Sequence, residues 1–281
     1  MINIDQISKS FGNLVALDEI SFSIDKGKIV GILGPNGAGK TTLFKILTGL
    51  IKPSSGQFKI DSTKQKSIGA IIENPHLYEY LNGAQNLNVF AQYQGLKLTN
   101  EQADTLLINV GLDPKRKDQV KNYSLGMKQR LGIATALLNE PDALILDEPF
   151  LGLDPIGMQD LREMLIGLAK EKNMAILISS HQLEELSKVC EVLYLLNKGK
   201  ITASGPTADI LHRATQKFKI SGKGITDSDL LKHFKKEQLG DLLIIEATKV
   251  EATDLIGKLI AEEYEIDEFG PVLNLENIYQ D

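Results

Sequence analysis

Several features common in other protein classes are missing from this chain. It has one cysteine, Cys190, in 281 residues. No disulfide can form within it, which excludes a covalently stapled secreted scaffold and fits a reducing compartment. No apolar run approaches the length of about 18 residues that marks a membrane-spanning helix. The opening MINIDQISKSFGN lacks the basic start and apolar stretch of a secretory signal. A role at a membrane is therefore expected only through a partner. Positive charge is not in excess either. Lys and Arg number 31 against 37 Asp and Glu, for a formal net charge of −6, so no nucleic-acid partner is expected. Low-complexity tracts and internal repeats of roughly 20–50 residues are also missing, which sets solenoids aside.

The rest of the composition is that of a globular protein with a sizeable core, at 42% hydrophobic and 24% charged residues. Up to about Ser204, short apolar runs alternate with helical patterns. KIVGIL, ALILD and AILISS read as buried strands. KTTLFKILTGL, MKQRLGIATALLNE and IGMQDLREMLIGLAKEK carry helical spacing. This alternation predicts a largely parallel sheet covered on both faces. MINIDQISKSF and LDEISFSID, ahead of it, read as antiparallel strands. After a Gly205–Pro206 break the character changes. KFKI, LLIIEAT and PVLNLENI are expected strands, and SDLLKHFKKEQ and VEATDLIGKLIAEEY are expected helices. The expected organisation is a domain over residues 1–205 and a small α/β appendage over residues 206–281.

GILGPNGAGKTTLFKIL, residues 31–47, places three glycines between an expected strand and an expected helix. It fits G-x-x-x-x-G-K-[ST] at Gly34, Gly39, Lys40 and Thr41. Glycines allow consecutive backbone N–H groups to turn inward on phosphate oxygens. The helix then points its positive end at the same anion. Lys40 is expected to reach the β- and γ-phosphates, and the Thr41 hydroxyl to ligate Mg²⁺. Asp147 and Glu148 follow the apolar run ALIL and so emerge at the carboxyl end of a strand, where ligands sit in open α/β sheets. Asp147 is expected to hold Mg²⁺ through water, and Glu148 to polarise the attacking water. Ser124, ahead of an amphipathic helix, is either a plain N-cap or an anion contact.

In this order GPNGAGKTT, YSLGMKQR, ALILDEP, LGLDP and ISSH resemble the ATP-binding subunit of an ABC transporter, over about Ile2 to Ser204. The resemblance implies a P-loop NTPase core of the ABC ATPase type. An antiparallel β subdomain, a helical insertion over about residues 75–136 and the C-terminal α/β appendage would accompany it. It also implies two copies that share two ATP–Mg²⁺. Asn36, Gly37, Ala38, Gly39, Lys40, Thr41 and Thr42 of one copy would hold each nucleotide, and Ser124 and Gly126 of the other would close over it. His181 would face the γ-phosphate, Asp154 would lie in the loop joining the two sites, and Phe11 would stack on adenine. Lys40, Glu148 and His181 are then the catalytic set.

Three positions depart from the family pattern. Leu125 stands where a glycine is usual in the signature, Glu73 replaces a glutamine, and Phe11 replaces a tyrosine. As a hard oxygen ligand, Glu73 joins Thr41 and Asp147 as a candidate for the metal, or is a solvated loop residue. IIENPHLYEYL, YSLGMKQRLGIA and the terminal NLENIYQD resemble the subgroup linked to bacitracin resistance and lantibiotic immunity. By that analogy the chain powers integral-membrane permease subunits that export an antimicrobial peptide or drug. It would then sit in the cytoplasm, on the inner face of the membrane. Tyr78, Tyr80 and Phe90 would form either the permease face or the core of the insertion. Two alternatives remain open from sequence: a soluble mechanical ATPase and a nucleotide-gated sensor.

Overall fold

A computed structural model describes residues 2–273. The chain divides into two compact units, Met1–Ser204 and Gly205–Asp281.

The first unit is built on a six-stranded sheet. Its strands are β3 (Ile29–Leu33), β5 (Ile68–Ile71), β6 (Ala143–Leu146), β7 (Ala175–Ser180), β8 (Val192–Asn197) and β9 (Lys200–Pro206), in the order β5-β6-β7-β3-β8-β9. β5 through β8 in that order pair in parallel. Every residue of β3, β6 and β7 is buried, as expected of a parallel sheet covered on both faces. The antiparallel sheet β2-β1-β4 is made of β1 (Ile2–Phe11), β2 (Leu14–Ile24) and β4 (Ser55–Ile60). The alternating burial of Ile20, Phe22 and Ile24 on β2 turns one face of this small sheet into the core.

That core wraps α1 (Lys40–Leu47), whose Leu43, Phe44, Ile46 and Leu47 are at most 1% exposed. Packing on this scale holds the start of α1 in place. Burying a Phe side chain such as Phe44 stabilises by about 1.5–3 kcal/mol.

Between β5 and β6 lie α2 (Gly83–Tyr93), α3 (Asn100–Asn109) and α4 (Leu125–Ala136). Asn82 with Gln85, and Thr99 with Gln102, form reciprocal capping boxes that start α2 and α3. After β6 come α5 (Pro155–Lys172) and the short α6 (Leu183–Ser187). Cys190, beyond α6, is 5% exposed, and burial pushes its thiol well above the ordinary range. Iodoacetamide should therefore leave the folded protein unlabelled and label it fully in denaturant. Labelling at equal rates in both would contradict the burial.

The second unit contains α7 (Thr207–Ala214), β10 (Thr215–Ser221), β11 (Lys236–Leu239), β12 (Leu242–Glu246), α8 (Lys249–Ala261) and β13 (Glu268–Leu273). Its sheet runs β11-β12-β10-β13, all antiparallel, over a core that includes Phe218, Ile220, Leu243, Ile245 and Leu255.

Two features differ from the sequence expectation. α7 was not anticipated. SDLLKHFKKEQ, expected as a helix, instead forms a short 3₁₀ turn at Asp229–Leu231 and then the strand β11. Ser228 accepts from the Leu230 N–H, and Leu231 is fully buried in the unit's core. Lys236 to Leu239 then pair with β12 through a turn at Gly240, whose φ is +65°. Here strand pairing overrides the local helical spacing. The NLENIYQD segment and the end of the expected strand PVLNLENI lie outside the described residues.

Candidate active site

The loop that leaves β3 owes its shape to its glycines. A Cβ on Gly34 would lie 2.3 Å from the carbonyl oxygen of Leu196 in β8. One on Gly39 would lie 2.6 Å from the carbonyl oxygen of Ala16 in β2, and Gly39 takes φ +113° just before α1. Only glycine allows the loop to press this closely on both strands and still enter a helix.

Lys40, the first residue of α1, is only 6% exposed. Its Nζ donates to the carbonyl oxygens of Gly34 at 2.6 Å and Pro35 at 3.2 Å. It also stands 3.2 Å from Glu148 Oε1. That buried oxygen makes no hydrogen bond beyond this ion pair.

At the next residue of the same helix, Thr41 Oγ1 donates to Asp147 Oδ2 at 2.7 Å. Asp147 Oδ1 accepts from Ser179 Oγ at 2.5 Å. The same Ser179 oxygen accepts from the Glu148 N–H at 2.9 Å. Glu148 has φ +50°, a left-handed conformation that costs a non-glycine residue about 1–3 kcal/mol and is found at functional sites. Its Oε2 lies 3.0 Å from His181 Nδ1. Lys40, Thr41, Asp147, Glu148 and His181 therefore form one connected network. It is drawn from the start of α1 and the carboxyl ends of β6 and β7, the place where open α/β sheets bind ligands.

An open cleft of about 470 Å³ runs along this network. Its walls include Phe11, loop residues from Asn36 to Thr42, and both carboxylates. Phe11 is 49% exposed, with Lys9 Nζ 5.0 Å from its ring centroid. An exposed aromatic ring at the rim suits stacking on a flat base.

Five expected site residues, Glu73, Ser124, Gly126, Asp154 and His181, do not line this cleft, although His181 reaches its edge through Glu148. Ser124 caps α4, accepting from the Met127 N–H at 3.2 Å. Asp154 caps α5, accepting from the Gly157 N–H at 2.7 Å. These two segments lie side by side. A Cβ on Gly152 would come within 3.0 Å of Leu125 Cδ2, and one on Gly126 within 3.8 Å of Leu153 Cδ2. Leu125, Leu151 and Ile156 project from this region into solvent.

Glu73, with φ +65°, bonds Lys45 Nζ at 2.9 Å. The Lys45 ammonium beside it holds its carboxyl below the usual carboxylate range. In this structure its partner is that lysine and not Thr41 or Asp147. Sequence reading missed Ser179, although the available signal was a pair of hydroxyl residues, Ser179 and Ser180, at the end of an apolar, fully buried run.

A phosphate cradle joined to a hydroxyl–carboxylate pair and to a strained glutamate is the apparatus of a nucleoside triphosphatase. Residues 17–151 match the family described as ABC transporter. The chain is similar to the lantibiotic transport ATP-binding protein SrtF of Streptococcus pyogenes, at 43% identity over 72% of this chain and 89% of that protein. It is also similar to the bacitracin transport ATP-binding protein BcrA of Bacillus licheniformis, at 41% identity over 78% and 73%. A solved ATP-binding subunit of an ABC transporter overlays with a TM-score of 0.64 and 31% identity, covering 75% of this chain and 91% of that one. The chain belongs to the ABC transporter ATP-binding family and is an ABC ATPase. Among the described residues, no helix is long and apolar enough to cross a membrane.

Proposed function

We propose that the chain holds ATP and Mg²⁺ in the cleft beside Lys40, and that two copies share two such sites to drive a separate membrane permease. The observation that carries this reading is the Lys40–Glu148–His181 cluster at the mouth of the glycine loop, with Lys40 Nζ 3.2 Å from Glu148 Oε1 and His181 Nδ1 3.0 Å from Oε2. A glutamate carboxylate held in this way can act as general base toward an attacking water. Lys40 and the loop N–H groups neutralise and orient the phosphates. His181 steadies the Glu148 carboxylate through Nδ1, while its Nε2 lies 3.4 Å from Gln182 Nε2 and would have to turn from it to meet a phosphate.

Thr41 and Asp147 fit Mg²⁺, since their oxygens are hard donors already within 2.7 Å of each other. When bound, the metal neutralises charge on the phosphates. Glu73 joins this set only if it leaves Lys45.

Ser124, Gly126 and Asp154 do not line the chain's own cleft, and the exposed Leu125, Leu151 and Ile156 accompany them. This suits a face that meets a second copy and completes that copy's site. ATP then favours the closed pair, and loss of the γ-phosphate releases it. Moving such an equilibrium from 1:99 to 99:1 requires about 5.5 kcal/mol of differential binding.

The permease face is assigned to the insertion. There Tyr78 packs its ring against Tyr80 and Phe90, each with centroids 5.9 Å away, while Tyr80 remains 66% exposed. The cluster is thus partly packed within the insertion and partly displayed. By the names of its relatives, the cargo is a bacitracin- or lantibiotic-like antimicrobial peptide, and the direction we propose is export. The chain then resides in the cytoplasm against the inner face of the membrane. The transport role of these relatives does not favour a free mechanical ATPase or a sensor.

The test is to isolate the tagged chain with its membrane partners, reconstitute the complex in lipid and measure ATP turnover with and without bacitracin or a lantibiotic. Stimulation by the peptide supports the reading. Steady turnover with no co-isolated membrane protein contradicts the transport assignment.

A further inference from the structure

We infer that Ser179 is a positioning residue that sets the geometry of both acidic groups at once. The inference rests on the proposed roles of Asp147 and Glu148. Ser179 is fully buried in β7, with Ile32 of β3 as its neighbour in register. A serine hydroxyl has one proton to give and lone pairs to accept with. This one gives its proton to Asp147 Oδ1 at 2.5 Å and accepts from the Glu148 N–H at 2.9 Å.

Each bond has a separate consequence. The first fixes the Asp147 carboxylate so that its other oxygen, Oδ2, is the one that meets Thr41. The second holds the backbone of Glu148 at φ +50°, the conformation in which its carboxylate reaches both Lys40 and His181. One hydroxyl on β7 therefore couples the orientation of a metal ligand to that of a general base. It touches neither substrate nor metal. An apolar residue would suit the strand's burial, since the other five residues of β7 are also buried and its first four are apolar. The hydroxyl is explained by its two bonds and not by the core.

The experiment compares Ser179→Ala, Ser179→Cys and Ser179→Thr in the full chain. It measures ATP affinity without metal, Mn²⁺ affinity of the ATP-bound protein by paramagnetic resonance, kcat and the unfolding midpoint. Removing a partner that orients a ligand costs about 10- to 100-fold in metal affinity or activity. Ser179→Ala should lose that much in both Mn²⁺ affinity and kcat, with metal-free ATP affinity unchanged. Ser179→Thr, which keeps the hydroxyl, should restore both. Ser179→Cys, near in volume but a weak donor, should stay impaired, and it serves as the test should the alanine variant fail to fold. Parental Mn²⁺ affinity and kcat in the alanine or cysteine variant would overturn the inference. So would a threonine variant no better than alanine. A parent chain that binds no ATP would instead overturn the proposed function, and the inference with it.

Discussion

Glu148→Gln is expected to lower ATP turnover by about 100- to 10,000-fold, the usual contribution of a positioned general base. ATP affinity should stay near that of the parent. The amide keeps the shape of the side chain and still places an oxygen near Lys40 or His181. It cannot take a proton from water. Glu148 also sits at φ +50°, so its backbone is already committed to this placement and the substitution adds no new strain. The loss should therefore fall on kcat and leave KM nearly unchanged. Steady-state turnover and equilibrium binding, measured on the same preparation, separate the two. Turnover at the parental rate would remove Glu148 from its assigned role.

Lys40→Ala should act on the other half of the site. Nζ is the donor that the Gly34 and Pro35 carbonyls share, and it is buried at the start of α1. Exchanging a charge-assisted hydrogen bond for nothing costs about 1.5–3 kcal/mol, or roughly 10- to 100-fold in affinity for each bond to phosphate. ATP binding, read by titration with a fluorescent analogue, should weaken by at least that much. The unfolding midpoint should fall somewhat, because the Gly34 and Pro35 carbonyls and Glu148 lose their cation, while Leu43, Phe44, Ile46 and Leu47 still anchor the helix. Unchanged affinity would mean that the loop does not hold the phosphates.

The two variants fail in different ways, and physical reasons explain why these residues were readable at all. A glycine loop between a strand and a helix has few other uses, and two acids after a buried strand must emerge at its carboxyl end. AILISS and KIVGIL were legible as strands because burial on both faces leaves no polar alternation to mimic a helix. The insertion was harder. Its helices α2 and α3 announce themselves mainly by the capping pairs Asn82–Gln85 and Thr99–Gln102, whose spacing is local, and their apolar faces are modest.

SDLLKHFKKEQ misled because its leucines and phenylalanine recur at helical spacing, while its pairing partner β12 lies beyond a turn at Gly240. Ser179 was invisible for a different reason. Its partners are 31 and 32 residues away in sequence, and only the parallel register of β6 and β7 brings them together. Ser124, Gly126 and Asp154 form no part of this chain's own cleft. Their proposed roles depend on a surface that a second molecule would supply, which the residues of one chain do not define by themselves.

The shared site is best tested by the solution mass of the Glu148→Gln protein, measured by light scattering with and without ATP and magnesium. The account predicts a monomer near 30.9 kDa without nucleotide and a doubling of mass when ATP is added. It also predicts that a further Ser124→Arg substitution abolishes the doubling while ATP still binds. A chain that stays monomeric with ATP bound, or a doubling that survives Ser124→Arg, would contradict it.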